Sequence, residues 1–334
     1  MPRLPLGNAV ASLIDWLIRT IPWLFDGISL VTTKLVDGLT FGLTAPPSWV
    51  WIAVFVVVAF MVRGLGFALY TVLAFALVLS LQLWTETMQT LAVVFVATLI
   101  ALIVGIPVGI WAARVRSIQA VVRPVLDFMQ TTPVFVYLIP AVFFFGVGIV
   151  PGVVATTIFA IPPGVRLTEL GIRQVDPEVV EAAHAFGARP RQILREVQLP
   201  MALPSIMAGV NQVIMLSLSM VVVAGLAGAP GLGAVVVRAV TQLDVATGFE
   251  GGLAVVLLAI FLDRLTSALA EPHRRRLQVP RLRRGTPGVN FARGGPGTGT
   301  ARASRLTLRR AGTRRPSSLC PDTTNVLLVS RVVD

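Results

Sequence analysis

The sequence predicts an all-α polytopic membrane protein, on three observations. Of its 334 residues 55% are hydrophobic and only 13% charged, against about 25% charged in soluble domains. The apolar residues fall in runs long enough to cross a bilayer core about 30 Å thick, a distance that takes about 20 residues of helix. A polar, charged stretch at 169–205 interrupts those runs and reads as a loop rather than as core. Mean hydropathy is +0.82, in keeping with several spans rather than one anchor.

From the N-terminus, residues 8–44 mix Leu13, Ile14, Trp16, Leu17, Ile21, Trp23, Leu24 and Phe25 with Asp15, Arg19, Asp26, Lys34 and Asp37. That many charges are costly inside hydrocarbon, so segment 1–47 is expected to lie at the interface as amphipathic helix. Pro46-Pro47 then breaks the chain. Candidate spans follow near 48–62, 65–84, 88–113, 134–149, 150–165, 206–228 and 251–270, giving six to seven transmembrane helices. The first two are accessory helices within 48–87, and the rest belong to a core over 88–271. The fourth and fifth are short and divided by Gly146, Gly148, Pro151 and Gly152, so they form either two crossings or one tight re-entrant hairpin.

Residues 1–271 carry 14 basic and 14 acidic side chains, so the net charge of +12 belongs to 272–334, with 14 arginines against Asp322 and Asp334. Arg114, Arg116 and Arg123, then Arg166, Arg173, Arg189, Arg191 and Arg195, then Arg264 and the tail mark the cytoplasmic side by the positive-inside rule. A multi-pass protein of the cell membrane with a cytoplasmic C-terminus follows. The tail, rich in Arg, Gly, Pro, Ser and Thr, reads as disordered. Such a tail can bind anionic lipid, be merely solvated, or come from an out-of-register reading frame. No signal-peptide layout opens the chain, so the spans themselves are expected to serve as the targeting signal.

The polar loop has local signals for two short helices. Asp176 can cap free N–H groups and Pro177 suits a first helical position, starting a helix over 177–186. Gly187 fits the left-handed residue that ends it, and Arg189-Pro190 opens a second helix that runs to about Gln198 before Leu199-Pro200 stops it. Ala182, Ala183 and Ala185 then form a small-residue face flanked by Glu181, Arg189, Arg191 and Arg195, which suits insertion into a cleft on a partner.

Glu181, Ala182, Ala183, Gly187, Val197, Leu199 and Pro200 fall at the spacing of the EAA sequence of ABC-transporter permeases, with Val197 where Ile is more usual. From about 88 to 270 the chain resembles the permease subunit of glycine betaine/proline betaine ABC importers. The similar runs are GIPVGIWAAR at 105–114, LDFMQTTPVFVYLIP at 126–140, PGVVATTIFAIPP at 151–163, LPSIMAGVNQ at 203–212 and LDRLTSAL at 262–269, joined by LVDGLTFGLTAPPSWVW at 35–51. The resemblance implies a type I, MetI-like ABC importer permease fold. It also implies a second permease copy in a homodimer, a separate ATPase subunit docked on the cytoplasmic loops, and an extracellular solute-binding protein. The cargo implied is glycine betaine, proline betaine, choline or a related compatible solute; another small polar solute such as an amino acid is the alternative.

The residues exclude several other functions. The only lysine is Lys34, so no GxxxxGK[ST] phosphate loop exists and ATP is expected on the partner, with no cofactor in this chain. Cys320 is the single cysteine, and His184 and His273 lack metal-ligand spacing. No catalytic constellation is expected, so the chain reads as a transporter subunit rather than an enzyme. An ion-coupled secondary transporter, the rival class, keeps ionisable groups at mid-membrane depth, and the centres of the proposed spans hold none.

Gln130, Thr131 and Thr132, beside Asp127, Met129 and Pro133, and Asn211, beside Gln212, are candidates for a polar pathway or for hydrogen bonds between helices. The run Phe143, Phe144 and Phe145 points around a helix and suits core or lipid better than an aromatic cage for a quaternary ammonium. Gly187, Pro200 and Pro204 are the candidate hinges.

Overall fold

Each span is built from residues that favour helix and are apolar around most of the circumference, so the helices bury one side in each other and leave the other to lipid. The structure, a computed structural model, describes residues 6–270, among which every regular element is helical. The basic tail at 272–334 lies outside the described residues.

Helices α1 (Leu6–Thr20) and α2 (Pro22–Thr44) come first, the latter entered through Pro22 at its first turn. α3 (Ser48–Arg63) follows at a 96° bend, where Pro47 holds extended backbone. Gly64, at φ +82°, reverses the chain into α4 (Leu65–Ser80). α3 and α4 have 16 residues each, about 24 Å of helix.

The core helices are longer than the sequence pattern suggests. α5 (Trp84–Arg114) has 31 residues and α8 (Ile149–Arg173) has 25. Between them lie the amphipathic α6 (Arg116–Thr131) and the short α7 (Val134–Phe145), which meet at 96°. Thr132 and Pro133 cause that bend: the residue before proline is pushed to extended backbone, and Thr132 sits at ψ 128°. The short pair considered at 134–165 thus becomes α7, bent off α6, packed against the first part of a longer α8. Gly146 and Gly148, at φ +76° and +152°, separate α7 from a helix long enough to cross the membrane alone. Pro151 sits in the first turn of α8, where it displaces no hydrogen bond.

After α8 come α9 (Pro177–Ala185), α10 (Pro190–Gln192), a π-helical turn at Ile193–Gln198 and α11 (Leu199–Ser219). α12 (Val221–Leu226), α13 (Leu232–Gln242) and α14 (Val245–Ala270) complete the described chain. Among the described residues four helical segments are long and apolar enough to cross a membrane, at 84–114, 149–173, 190–226 and 245–268, and up to six if each bent pair counts as one span.

Close backbone approach joins the central helices. A Cβ on Gly109 of α5 would lie 2.7 Å from the Thr168 Cβ of α8, and one on Gly171 of α8 would lie 2.7 Å from the Ser205 Cβ of α11. Small residues at these crossings supply the packing that holds helices together in lipid, where no hydrophobic effect separates protein from solvent. Beside them, Phe55, Phe67 and Phe75 surround Phe261, with ring centroids 5.2 to 5.9 Å from it. Phe144 and Phe145 pack on Phe25 of α2, at 4.7 and 5.8 Å, whereas Phe143 is exposed.

Candidate coupling site

The polar loop folds as a helical elbow. Asp176 Oδ1 accepts a hydrogen bond from the Glu178 N–H at 2.9 Å and caps α9, with Pro177 in the first turn. Gly187 ends the helix at φ +79°. The Gly187 N–H donates to the His184 carbonyl at 2.9 Å and the Ala188 N–H to the Ala183 carbonyl at 3.1 Å, the paired bonds of a Schellman ending. α10 then starts with the Arg189 N–H donating to Gln192 Oε1 at 2.8 Å.

The second arm differs from the sequence reading. Leu199-Pro200 does not stop it; the helix continues from Pro190 through Leu226. The reason is the π turn: the Leu199 N–H bonds to the Leu194 carbonyl five residues back. A wide turn makes room for a proline ring that would clash in a regular helix interior, and Pro200 enters α11 at its first turn. Pro200 and Pro204 thus lie in a continuous helix, and the sharp break of the elbow is at Gly187.

No residue of α9 is buried. Glu181, Ala182 and Gly187 are exposed, Ala183, Val197 and Leu199 half-buried, and Pro200 exposed. At the apex Phe186 is 92% exposed, a feature the sequence reading missed although an aromatic beside a turn glycine was visible. The elbow is held from below. Ile193 is buried, and Arg114 at the end of α5 donates to the Pro190 carbonyl at 2.5 Å.

A second unread feature lies under the elbow. Glu169 of α8, with a side chain 6% exposed, receives the Gln119 amide at 2.6 Å, Arg123 at 3.2 Å and Arg173 at 3.2 Å. Arg173 also reaches Gln119 Oε1 at 2.7 Å and the Ala112 carbonyl at 3.1 Å. Asp127 pairs with Arg166 alongside. The i,i+4 spacing of Glu169 and Arg173 was the available signal; Gln119 and Arg123, about fifty residues away, gave none.

The polar candidates fall in two places. Gln130, Thr131 and Thr132 sit at the α6–α7 bend, where both threonine hydroxyls bond to the Phe128 carbonyl. Asn211 faces α14 instead, donating to Asp263 Oδ1 at 3.2 Å and accepting from Thr266. No hydrogen bond joins the two groups among the described residues.

Residues 105–277 match the family described as binding-protein-dependent transport system inner membrane component. The chain is 47% identical over 266 residues to the glycine betaine transport system permease protein OpuAB of Bacillus subtilis (strain 168), covering 80% of this chain and 94% of that protein. It is 45% identical to the glycine betaine/proline betaine transport system permease protein ProW of Escherichia coli (strain K12), covering 82% and 77%. With the glycine betaine/carnitine transport permease protein GbuB of Listeria monocytogenes serotype 1/2a (strain 10403S), identity is 47% over 80% of this chain and 96% of that one. Among solved structures, a chain of the MetNI methionine ABC transporter in inward facing conformations aligns with TM-score 0.53 and 22% identity over 56% of this chain and 94% of that one. That likeness supports the MetI-like permease fold.

Proposed function

Since the chain belongs to the family of binding-protein-dependent transport system inner membrane components, and is thus the transmembrane subunit of an ABC importer, we propose that it carries a quaternary ammonium compatible solute of the glycine betaine type. The observation that supports this cargo is the 45–47% identity to permeases whose names specify glycine betaine. Two copies line the pathway. The C-terminus and the elbow face the cytoplasm, in line with the arginines that flank them.

In this reading Glu181, Ala182, Ala183 and Gly187 enter a cleft of the ATPase subunit, while Val197, Leu199 and Pro200 carry the motion into α11. ATP binding closes the ATPase pair and draws the two elbows together, which favours an outward-open bundle; hydrolysis releases it. Nucleotide shifts the equilibrium only because the closed ATPase pair fits one arrangement of the elbows better than the other. Gln130, Thr131, Thr132 and Asn211 are proposed to contribute polar groups to the pathway. Selectivity resides chiefly in the binding protein.

The test is uptake of radiolabelled glycine betaine by cells that lack other betaine uptake and express this chain with its ATPase and binding protein. Saturable, ATP-dependent uptake competed by proline betaine supports the reading. Uptake of an amino acid with no response to either betaine overturns the cargo assignment and leaves the importer class intact.

A further inference from the structure

α3, α4 and α14 enclose a cleft of about 350 Å³ lined by Arg63, Gly66, Phe67, Tyr70, Ile260 and Arg264. The coupling scheme makes no use of it. Arg63 ends α3, and Arg264 lies in the last two turns of α14, so two cations stand where apolar helices finish. Both are exposed, and among the described residues neither has a carboxylate within 4.0 Å. The cleft lining includes no acidic side chain.

Its walls are fixed and its interior is open. The Tyr70 hydroxyl donates to the Leu257 carbonyl at 3.0 Å, holding α4 against α14. A Cβ on Gly66 would meet nothing within 4 Å. Away from the arginines the apolar surface continues outward, with Leu65 76%, Leu69 60% and Phe60 55% exposed. A soluble anion would use the cations but gain nothing from that apolar surface. A phospholipid uses both.

We propose that this cleft binds one anionic phospholipid, its phosphate between the Arg63 and Arg264 guanidiniums and an acyl chain along Leu65 and Leu69. Guanidinium forks match phosphate oxygens in geometry and charge, and basic pockets between transmembrane helices recognise anionic headgroups.

The test is native mass spectrometry of the full transporter in mild detergent, titrated with phosphatidylglycerol, with phosphatidylcholine and with inorganic phosphate. Wild type retains phosphatidylglycerol in preference to phosphatidylcholine. The variant R63Q/R264Q loses about thirtyfold in phosphatidylglycerol affinity, since each surface charge contributes about fivefold, and R63K/R264K keeps most of it. Gly66→Leu, which fills the open space without changing charge, also weakens retention. The tail arginines are present in every variant, so the differences report the cleft alone. Unchanged phosphatidylglycerol retention in R63Q/R264Q overturns the proposal, and so does displacement of bound lipid by inorganic phosphate.

Discussion

The Glu169 carboxylate, enclosed in the bundle, lies 3.2 Å from Arg123 Nη2, which reaches it from α6 on the surface. The Glu169 side chain is 6% exposed and that of Arg123 61%. Arg123→Ala is therefore expected to cost about 1 kcal/mol or less, as water replaces much of what an exposed partner supplies. Removing Arg173 as well strands the charge with Gln119 alone and is expected to cost about 3 kcal/mol. Adding Glu169→Leu to that double variant should recover stability, because the buried charge is gone. Denaturant unfolding of the purified protein in micelles ranks the three; a triple variant no more stable than the double contradicts the buried-charge account.

Gly187→Val should uncouple the transporter. Its φ of +79° costs a side chain about 1–2 kcal/mol, and a β-branched residue will open the Schellman ending. Gly187→Asn, which tolerates left-handed backbone, should keep most uptake. The check is solute uptake in membrane vesicles with co-purified ATPase quantified: uptake should collapse in the valine variant while ATPase remains bound. Wild-type uptake in that variant would show that the break is not needed.

How legible these features were depends on the range of the interactions. Asp176, Pro177 and Gly187 act on neighbours within a few residues, so cap, first turn and break were readable from local spelling. Leu199-Pro200 misled for the same reason: the local rule for proline assumes a regular helix, and the π turn from Ile193 to Gln198 removes the clash. The four long spans followed from composition, whereas the candidates at 48–62 and 134–149 are halves of bent pairs, the one at 65–84 forms a helix of only 16 residues, and span ends were not readable. α8 extends to Arg173 because Glu169 and Arg173 are satisfied by α6, a tertiary effect. Asn211 was legible as a polar group needing a partner, whereas Asp263, fifty-two residues later, was not legible as that partner.

Gly109→Val tests the packing of α5 on α8. The added Cβ would lie 2.7 Å from both the Thr168 Cβ and the Val165 carbonyl oxygen, and overpacking of a tight contact costs about 1–3 kcal/mol. A lower thermal midpoint in micelles is expected, with partial recovery on adding Thr168→Ala, which removes the Thr168 Cγ2 that would lie 3.0 Å from the added Cβ. No change in midpoint would mean that the two helices are not held at this distance.

Asp244 starts α14 and gives a pH dependence of known sign. Its carboxylate accepts the Thr247 hydroxyl at 2.6 Å, the Thr247 N–H at 3.2 Å and the Ala246 N–H at 3.1 Å. The Thr247 hydroxyl bond is the main cause holding its pKa below the ordinary aspartate value, the backbone bonds assisting. A depressed carboxyl pKa stabilises the fold above the unfolded pKa and loses that contribution as pH falls through the folded value. Asp244→Ala should thus lower the thermal midpoint at pH 7, and the gap to wild type should close in the acid range. A gap that widens on acidification would contradict the capping role.

The central claim is that the elbow at Gly187 meets the ATPase, and Phe186, 92% exposed at its apex, reports on it most directly. A photo-crosslinking phenylalanine analogue placed at 186 in the assembled transporter is irradiated, and the adduct is identified by mass. Crosslinking to the ATPase subunit is the predicted result; crosslinking to the external binding protein, or no ATPase adduct from an intact complex, would contradict it.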